Sequence, residues 1–447
     1  MKARHLPLFL TLLLASGCST VTQTASPDAN RSVASGQNTI LLLSDIHFNP
    51  FADKSLVEKL EVANESDWES IFETNSTGNF AQTGSDTNYP LLKEVLKKTK
   101  ATAPSAGLVI IPGDFLAHKF QKLYNKASAH PTKKGYRAFV SKTIQFIAHE
   151  LIKTFPGVQI APVLGNNDSF EGDYQGHFHD AFYHTFGSSF HMEMSELGYY
   201  SVPVSFNPKI RLIGLNTVLF SNKYHDNFGL PNRSNGKIEL AWLKHEMKEA
   251  KEAGQTAWIV GHIPAGVDPY NTLSALDPIH SKRNPVLFYS EYFNEQYINL
   301  IQEHLNDISW MISGHTHENE FRIYGNKKSW KVDRFVPSIS PINGNNPSFE
   351  VAKLKSGDET PSSIQAEILK QNGWETEPLP SLFERASSLS AIQATFATNT
   401  PDRTLFQNAF LSGASTQDIV FSDWKLYSCS LFHLTKDAFL KCYRDRE

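Results

Sequence analysis

Cysteine is scarce in this chain. Only Cys18, Cys429 and Cys442 occur in 447 residues, and no His or Cys stands beside them to complete a thiolate metal site. A surplus of charge of one sign is missing too. Lys plus Arg number 42 against 46 for Asp plus Glu, a net charge of −4. A nucleic-acid polymer is therefore not an expected partner, because phosphate contacts dominate that kind of affinity. No apolar run is long enough to span a bilayer as a mature helix: the longest, Leu6–Leu14, falls well short. The chain also lacks a Gly-x-Ser-x-Gly elbow and a Gly-rich phosphate loop, so serine-hydrolase and P-loop chemistry have no anchor.

The apolar run that does exist reads as a targeting segment. Lys2 and Arg4 precede Leu6–Leu14, and Leu14-Ala15-Ser16-Gly17-Cys18 resembles a bacterial lipobox in which Cys18 is lipidated. Residues 1–18 are expected to be a signal peptide, and 19–37, rich in Ser, Thr, Ala, Gln and Asn, a flexible tether. The chain would then be exported, as a membrane-anchored lipoprotein or in secreted or periplasmic form. In that setting Cys429 and Cys442 read as a local disulfide, with two free buried thiols as the plainer alternative.

From Thr39 onward short β runs alternate with amphipathic stretches, the sign of an α/β architecture. Helices are predicted over 89–100, 136–154, 237–253 and 294–306 from apolar residues at three- and four-residue intervals. Strands are predicted over 349–354 and 363–369, with a helical tail from about Leu379. Two long insertions, from His47 to Tyr89 and from His262 to about Asn294, are expected to wall a cleft.

The most informative feature lies at the strand ends. The run Thr39–Ser44 leads into Asp45 and His47, and Gly107–Gly113 into Asp114. Gln159–Gly165 leads into Asn166, Thr256–Gly261 into His262, and Ile308–Gly314 into His315 and His317. A sixth run, Lys209–Leu215, ends at Asn216 with no ligand pair and reads as a plain strand. The other five deliver seven N and O donors, too many for one small ion. They suit two ions sharing one carboxylate, the arrangement that clamps an in-line phosphoryl displacement. Imidazoles with carboxylates favour zinc, iron or manganese over calcium.

Taken in order, these motifs resemble the calcineurin-like metallophosphoesterases, and more closely the acid sphingomyelinase-like phosphodiesterase and endopolyphosphatase branch. Gly113-Asp114-Phe115-Leu116-Ala117-His118 carries that narrower likeness, as do Gly261–Gly266 and Gly314–Phe321. Pro337–Pro341, Asn346–Phe349 and the tail Cys429…Cys442 extend it, so the resemblance runs from about Ile40 to Cys442. It implies a four-layer α/β sandwich of two mixed β-sheets flanked by helices over 38–370, with a C-terminal helical subdomain over 371–447. It also implies two divalent ions, zinc by likeness to the branch. Asp45, His47, Asp114 and His317 would hold the first; Asp114, Asn166, His262 and His315 the second.

The implied reaction is hydrolysis of a phosphodiester or phosphoanhydride by in-line attack of a metal-bridging hydroxide. The substrates of the branch include nucleotide derivatives, polyphosphate and phospholipid head groups. No cysteine-rich lipid-presenting module stands between Cys18 and Cys429, which tilts the expectation toward soluble phosphoanhydrides or nucleotide-type diesters. The wider superfamily carries Gly-Asn-His-Asp or Gly-Asn-His-Glu, and here Asn167 replaces that His. An amide can hydrogen-bond to a phosphate oxygen but cannot donate a proton, so His118 is the expected general acid, with Asn167 orienting the phosphoryl group. The alternatives are a phosphomonoesterase, or a surface protein that keeps the fold for binding. Gly176-His177-Phe178-His179 mimics a His-x-His motif but follows no apolar strand, and is read as surface sequence. Asn343, Asn345 and Asn346 fit ordinary turn chemistry.

Overall fold

Two six-stranded mixed sheets pack face to face, each covered on its outer face by helices. The computed structural model describes residues 37–75, 78–225, 234–274, 284–378, 389, 393, 412 and 424–445. The expected signal peptide, the tether and Cys18 lie outside the described residues, as does most of the tail between 379 and 423.

The strands are β1 (Gln37–Leu42), β2 (Leu108–Ile111), β3 (Gln159–Pro162), β4 (Tyr200–Val204), β5 (Asn207–Gly214) and β6 (Thr256–Val260). They continue with β7 (Ile308–Ser313), β8 (Phe321–Gly325), β9 (Trp330–Phe335), β10 (Ser348–Lys355), β11 (Ser363–Lys370) and β12 (Gly373–Pro378). The first sheet runs β12-β11-β10-β1-β2-β3 and the second β4-β5-β6-β7-β9-β8. The pairs β1–β2, β2–β3, β5–β6 and β6–β7 are parallel. Every strand that leads into a predicted ligand thus points the same way within its sheet, and the ligands gather at carboxyl ends, where open α/β sheets bind.

Strand periodicity builds the layers. Ile40, Leu42, Leu108 and Ile110 face the second sheet, where they meet Leu212, Trp258, Val260, Trp310 and Ile312. Their neighbours Leu41, Leu43, Val109 and Ile111 turn the other way, onto Leu92, Val95, Phe139 and Ile144 of the covering helices. In the second sheet Ile213, Ile259 and Met311 face Leu243, Met247, Tyr297 and Ile301. Successive side chains alternate between two apolar layers because the strands are covered on both faces. Each fully buried Leu or Ile contributes about 1.5–3 kcal/mol.

The predicted helices occur as Tyr89–Thr102, Lys133–Thr154, Ser234–Glu252 and Glu291–Glu303. The insertion after His47 carries secondary structure of its own. It forms helices Val57–Val62 and Trp68–Asn75 and buries Val57, Leu60, Trp68 and Phe72 in the core. Past the expected boundary at 370 the chain adds a further strand, with Gly373–Pro378 pairing antiparallel to β11. At the C-terminus helices Trp424–Phe432 and Lys436–Asp445 pack on Val267, Phe321 and Ile323 and are joined by a Cys429–Cys442 disulfide. Among the described residues no helix is long and apolar enough to cross a membrane.

Candidate metal centre

The turns that follow β1, β2 and β7 carry the expected donors on strained backbone. Asp45, His47, Asp114, His315 and His317 all have positive φ, between 43° and 76°. For non-glycine residues such conformations cost about 1–3 kcal/mol each and persist only where surroundings over-determine them. The glycines beside them allow close approach. Gly113 has φ 94°, and a Cβ there would sit 2.8 Å from both Gly165 N and His262 Nδ1. A Cβ on Gly165 would lie 2.1 Å from Asp114 Oδ1.

The donors converge on two clusters that share Asp114. On one side His47 Nε2 lies 3.4 Å from Asp114 Oδ2, 3.7 Å from Asp45 Oδ1 and 3.1 Å from His317 Nε2. His317 Nε2 is in turn 3.4 Å from Asp45 Oδ1. On the other side His262 Nε2 lies 3.2 Å from Asp114 Oδ2, 3.1 Å from Asn166 Oδ1 and 3.3 Å from His315 Nδ1. Asp114 Oδ2 therefore sits between the two sets of imidazoles. The outward nitrogens are tied back: His47 Nδ1 donates to the Leu116 carbonyl at 3.0 Å and His262 Nδ1 to that of Pro112 at 2.7 Å. Such bonds fix the tautomer and leave the Nε2 lone pairs facing inward.

The donor set fits cations. Asp45 Oδ1 is buried with no hydrogen-bond partner among the described residues, and two imidazole nitrogens face each other at 3.1 Å. The electrostatics agree. Burial would lower the imidazoles, yet the Asp114 and Asp45 carboxylates outweigh it and raise His47 to about 10 and His262 to about 9. Burial, reinforced by the neighbouring cationic imidazoles, lowers His315 and His317 to about 3. Burial raises Asp114, but His262 and His47 more than reverse this and hold its carboxyl well below the usual range. The Asp45 and Asp114 carboxylates therefore favour positive charge among these imidazoles.

His118 joins this centre. Its ring stacks on His47 at 4.0 Å, and one ring nitrogen of each of His47, His118 and His317 lies within 4.8 Å of the others. Its Nδ1 is 2.9 Å from Asp86 Oδ1, its backbone N–H donates to Asp86 Oδ2 at 3.0 Å, and its side chain is one-third exposed, at 33%. Asn167 is bound to Asp114 at both its backbone and its side chain. Its backbone N–H donates to Asp114 Oδ1 at 2.8 Å and its amide Nδ2 to Asp114 Oδ2 at 2.9 Å.

Three residues of this neighbourhood escaped the sequence reading. Asp86, buried in the turn before the Tyr89–Thr102 helix, holds His118 and accepts from Ser340 Oγ at 3.2 Å. Burial raises its carboxyl, but the His118 hydrogen bond and the His47 charge hold it below the ordinary value. Asp168 accepts from the N–H groups of Gly165, Phe115 and Leu116 at 2.9, 2.9 and 3.1 Å, tying the Asn166 turn to the Asp114 turn. Burial and Asp114 push it up to about 6. The Tyr174 hydroxyl lies 3.5 Å from His315 Nε2. Asp168 had a signal, its place in Gly165-Asn166-Asn167-Asp168; Asp86 and Tyr174 had none, since only tertiary contacts bring them in. The imitation motif His177–His179 stays apart, with His179 exposed beside Glu196. Asn345 is buried and donates to the carbonyls of Ser338 and Ser340.

Known proteins resemble this chain in sequence and, more loosely, in shape. A cyclic GMP-AMP phosphodiesterase, SMPDL3A of Rattus norvegicus, is 23% identical over 302 residues, covering 64% of this chain and 62% of that protein. Sphingomyelinase phosphodiesterase D of Dictyostelium discoideum is 26% identical over 303 residues, covering 65% and 62%. The match therefore spans less than two thirds of these relatives' own length. A dimetal phosphatase of Danio rerio covers 77% of this chain and 99% of its own at 13% identity and a TM-score of 0.43. The profile of the calcineurin-like phosphoesterases matches residues 39–319, and the chain belongs to that family.

Proposed function

We propose that this protein is a metal-dependent phosphoesterase acting on phosphodiesters or phosphoanhydrides, with Asp114 as the carboxylate shared by two divalent ions. The observation that carries the reading is the position of Asp114 Oδ2, 3.4 Å from His47 Nε2 and 3.2 Å from His262 Nε2. Asp45, His47, Asp114 and His317 would hold one ion, and Asp114, Asn166, His262 and His315 the other. Zinc is the proposed metal, by the chemistry of the donors and by family likeness. Two such ions, when bound, supply Lewis-acid neutralisation of the phosphoryl charge and activation of water.

The chain's own residues do the rest. Asp86 takes the Nδ1 side of His118, which turns Nε2 toward the cleft. There His118 protonates the departing oxygen, a contribution of about 10²–10⁴ in rate for a positioned acid. Asn167 is proposed to act chiefly through Asp114, holding both carboxylate oxygens so that the bridging one keeps its orientation. The relatives named as phosphodiesterases favour a diester over a monoester. Export, with a lipid anchor at Cys18, is part of the same proposal; a disulfide suits an oxidising compartment.

The test pairs metal analysis with two substrates. Purified protein loaded with zinc, manganese or iron should carry two ions per chain and hydrolyse bis-p-nitrophenyl phosphate faster than p-nitrophenyl phosphate. Protein that stays metal-free in excess divalent salt, or that cleaves neither these esters nor a phosphoanhydride such as ADP, would remove the reading.

A further inference from the structure

We infer that Tyr174 and Lys223 form an anion-binding lip on the His315 side of the centre, which takes a second phosphate of the substrate. The inference rests on the proposed phosphoesterase reading and narrows it to phosphoanhydride-bearing compounds.

Tyr174 is held with unusual firmness for a residue on an irregular stretch. Its φ is 57°, strained for a bulky side chain. Its N–H donates to the carbonyl of Asn166 at 2.8 Å, and its own carbonyl accepts from His225 at 3.0 Å. The backbone that carries the ligand Asn166 therefore also sets the phenol. That phenol meets His315 edge-on, ring centroids 6.3 Å apart at 85°, with its hydroxyl 3.5 Å from Nε2. His315 turns Nδ1 toward His262, so Nε2 carries the hydrogen when Nδ1 is the ligating atom. The Tyr174 oxygen then accepts that hydrogen, and its own O–H is left to donate into the cleft.

Lys223 stands on the face of the same ring, its Nζ 5.1 Å from the centroid. It is exposed, and among the described residues it forms no ion pair within 4.0 Å. Such a cation–aromatic contact holds an ammonium in place without neutralising it. One phenolic donor and one ammonium held over the same ring, outside any ion pair within 4.0 Å, match a phosphate oxygen and its charge. A simple diester with two neutral substituents has no group for them. A nucleoside diphosphate or a short inorganic polyphosphate does, since the phosphate next to the scissile one keeps its negative charge.

The experiment compares Lys223→Ala, Lys223→Arg and Tyr174→Phe with wild type, all loaded with metal. Substrates are tripolyphosphate, ADP and bis-p-nitrophenyl phosphate, and tripolyphosphate binding is measured by calorimetry. Lys223→Ala should lower kcat/KM for both anhydrides about tenfold more than for the diester, the size of one charge-assisted bond. Lys223→Arg should restore most of it. Tripolyphosphate binding should weaken in parallel. A loss for ADP alone would mean that the lip reads the nucleoside, and would overturn the inference, as would equal losses on all three substrates. Should wild type cleave none of them, the phosphoesterase reading fails by itself. The calorimetry then decides the lip separately: unchanged binding in Lys223→Ala would sink it, and a tenfold loss would keep it.

Discussion

If the proposed phosphoesterase reading holds, removing His118 should change sensitivity to the leaving group more than overall speed. The side chain is one-third exposed, its Nδ1 is engaged by Asp86 at 2.9 Å, and its ring lies 4.0 Å from that of His47. On the proposed reading the other nitrogen faces the phosphoryl group. A positioned acid contributes about 10²–10⁴, which equals about 2.7–5.4 kcal/mol of barrier. That sum is needed only when the departing oxygen is basic. Unsubstituted phenol, ionising like a tyrosine near about 10, leaves poorly without a proton, whereas a nitrophenolate leaves unaided. His118→Ala and His118→Gln should thus lose close to the full factor on phenyl diesters and little on nitrophenyl ones. The assay is kcat/KM across a series of aryl phosphodiesters, with metal content measured on each variant. Asp86→Asn should reproduce the same tilt, because it disturbs the orientation of the same imidazole. Parallel loss across the series would refute the proton-donor role. Loss of metal along with activity would assign His118 to the ligand set instead, since it lies within 4.8 Å of His47 and His317.

Asp114→Asn should bind fewer than two ions per chain under conditions where wild type holds two, by elemental analysis; equal occupancy would disprove the bridge. In metal-free protein the folded-state pKa values of His47 and His262, about 10 and 9, exceed the ordinary 6.5. The stability they provide is fully present below about 6.5 and is lost as pH rises through 9 and 10. Thermal melts of the metal-free protein should therefore weaken between neutral pH and pH 10, and divalent ions should flatten that slope; a pH-independent melt would contradict the charge balance. Glu350→Gln should destabilise the fold by about 3–5 kcal/mol. Arg334 of β9 pairs with Glu350 of β10 through two bonds at 2.5 and 2.8 Å, joining the two sheets across the core. A urea midpoint unchanged by that variant would show that the pair holds nothing together.

How much of this was legible in the sequence depended on whether the signal was local. The residues that gather around Asp114 were readable because each closes an apolar run, and a buried parallel strand is an apolar run. The start of the Tyr89–Thr102 helix was readable too, with Asn88 accepting from Leu91 N–H and Pro90 in the first turn. The helices over 57–75 were hidden, because Asn, Ser, Thr and Glu outnumber the four residues that reach the core. The edge strand at 373–378 was hidden by its polar face: Trp374 alternates with Glu and Thr, and only pairing with β11 makes it a strand. Asp86 and Tyr174 lay beyond sequence reasoning for another reason. Their partners His118 and His315 are 32 and 141 residues away, and nothing short-range marks them.

The five strained residues, carried on three turns, suggest why the motifs reach beyond the expected donors themselves. Each turn is held by another that also carries a donor. The N–H groups of Asp45 and His47 donate to the carbonyls of Gly113 and Asp114, and that of Gly314 to the carbonyl of His262. His315 N–H reaches Asp45 Oδ2 at 3.2 Å. Ser338 Oγ and the N–H of Ser340 both donate to the carbonyl of Asp45, while Ser338 N–H reaches His317. Pro337–Pro341 contains no expected ligand, yet it satisfies the backbone of two of the turns that do. At about 1–3 kcal/mol each, five positive φ values would be hard to sustain singly. Held in a closed ring, they cannot relax one at a time. The ring fixes the spacing of these donors, so that a bound ion would not have to meet the cost of ordering them.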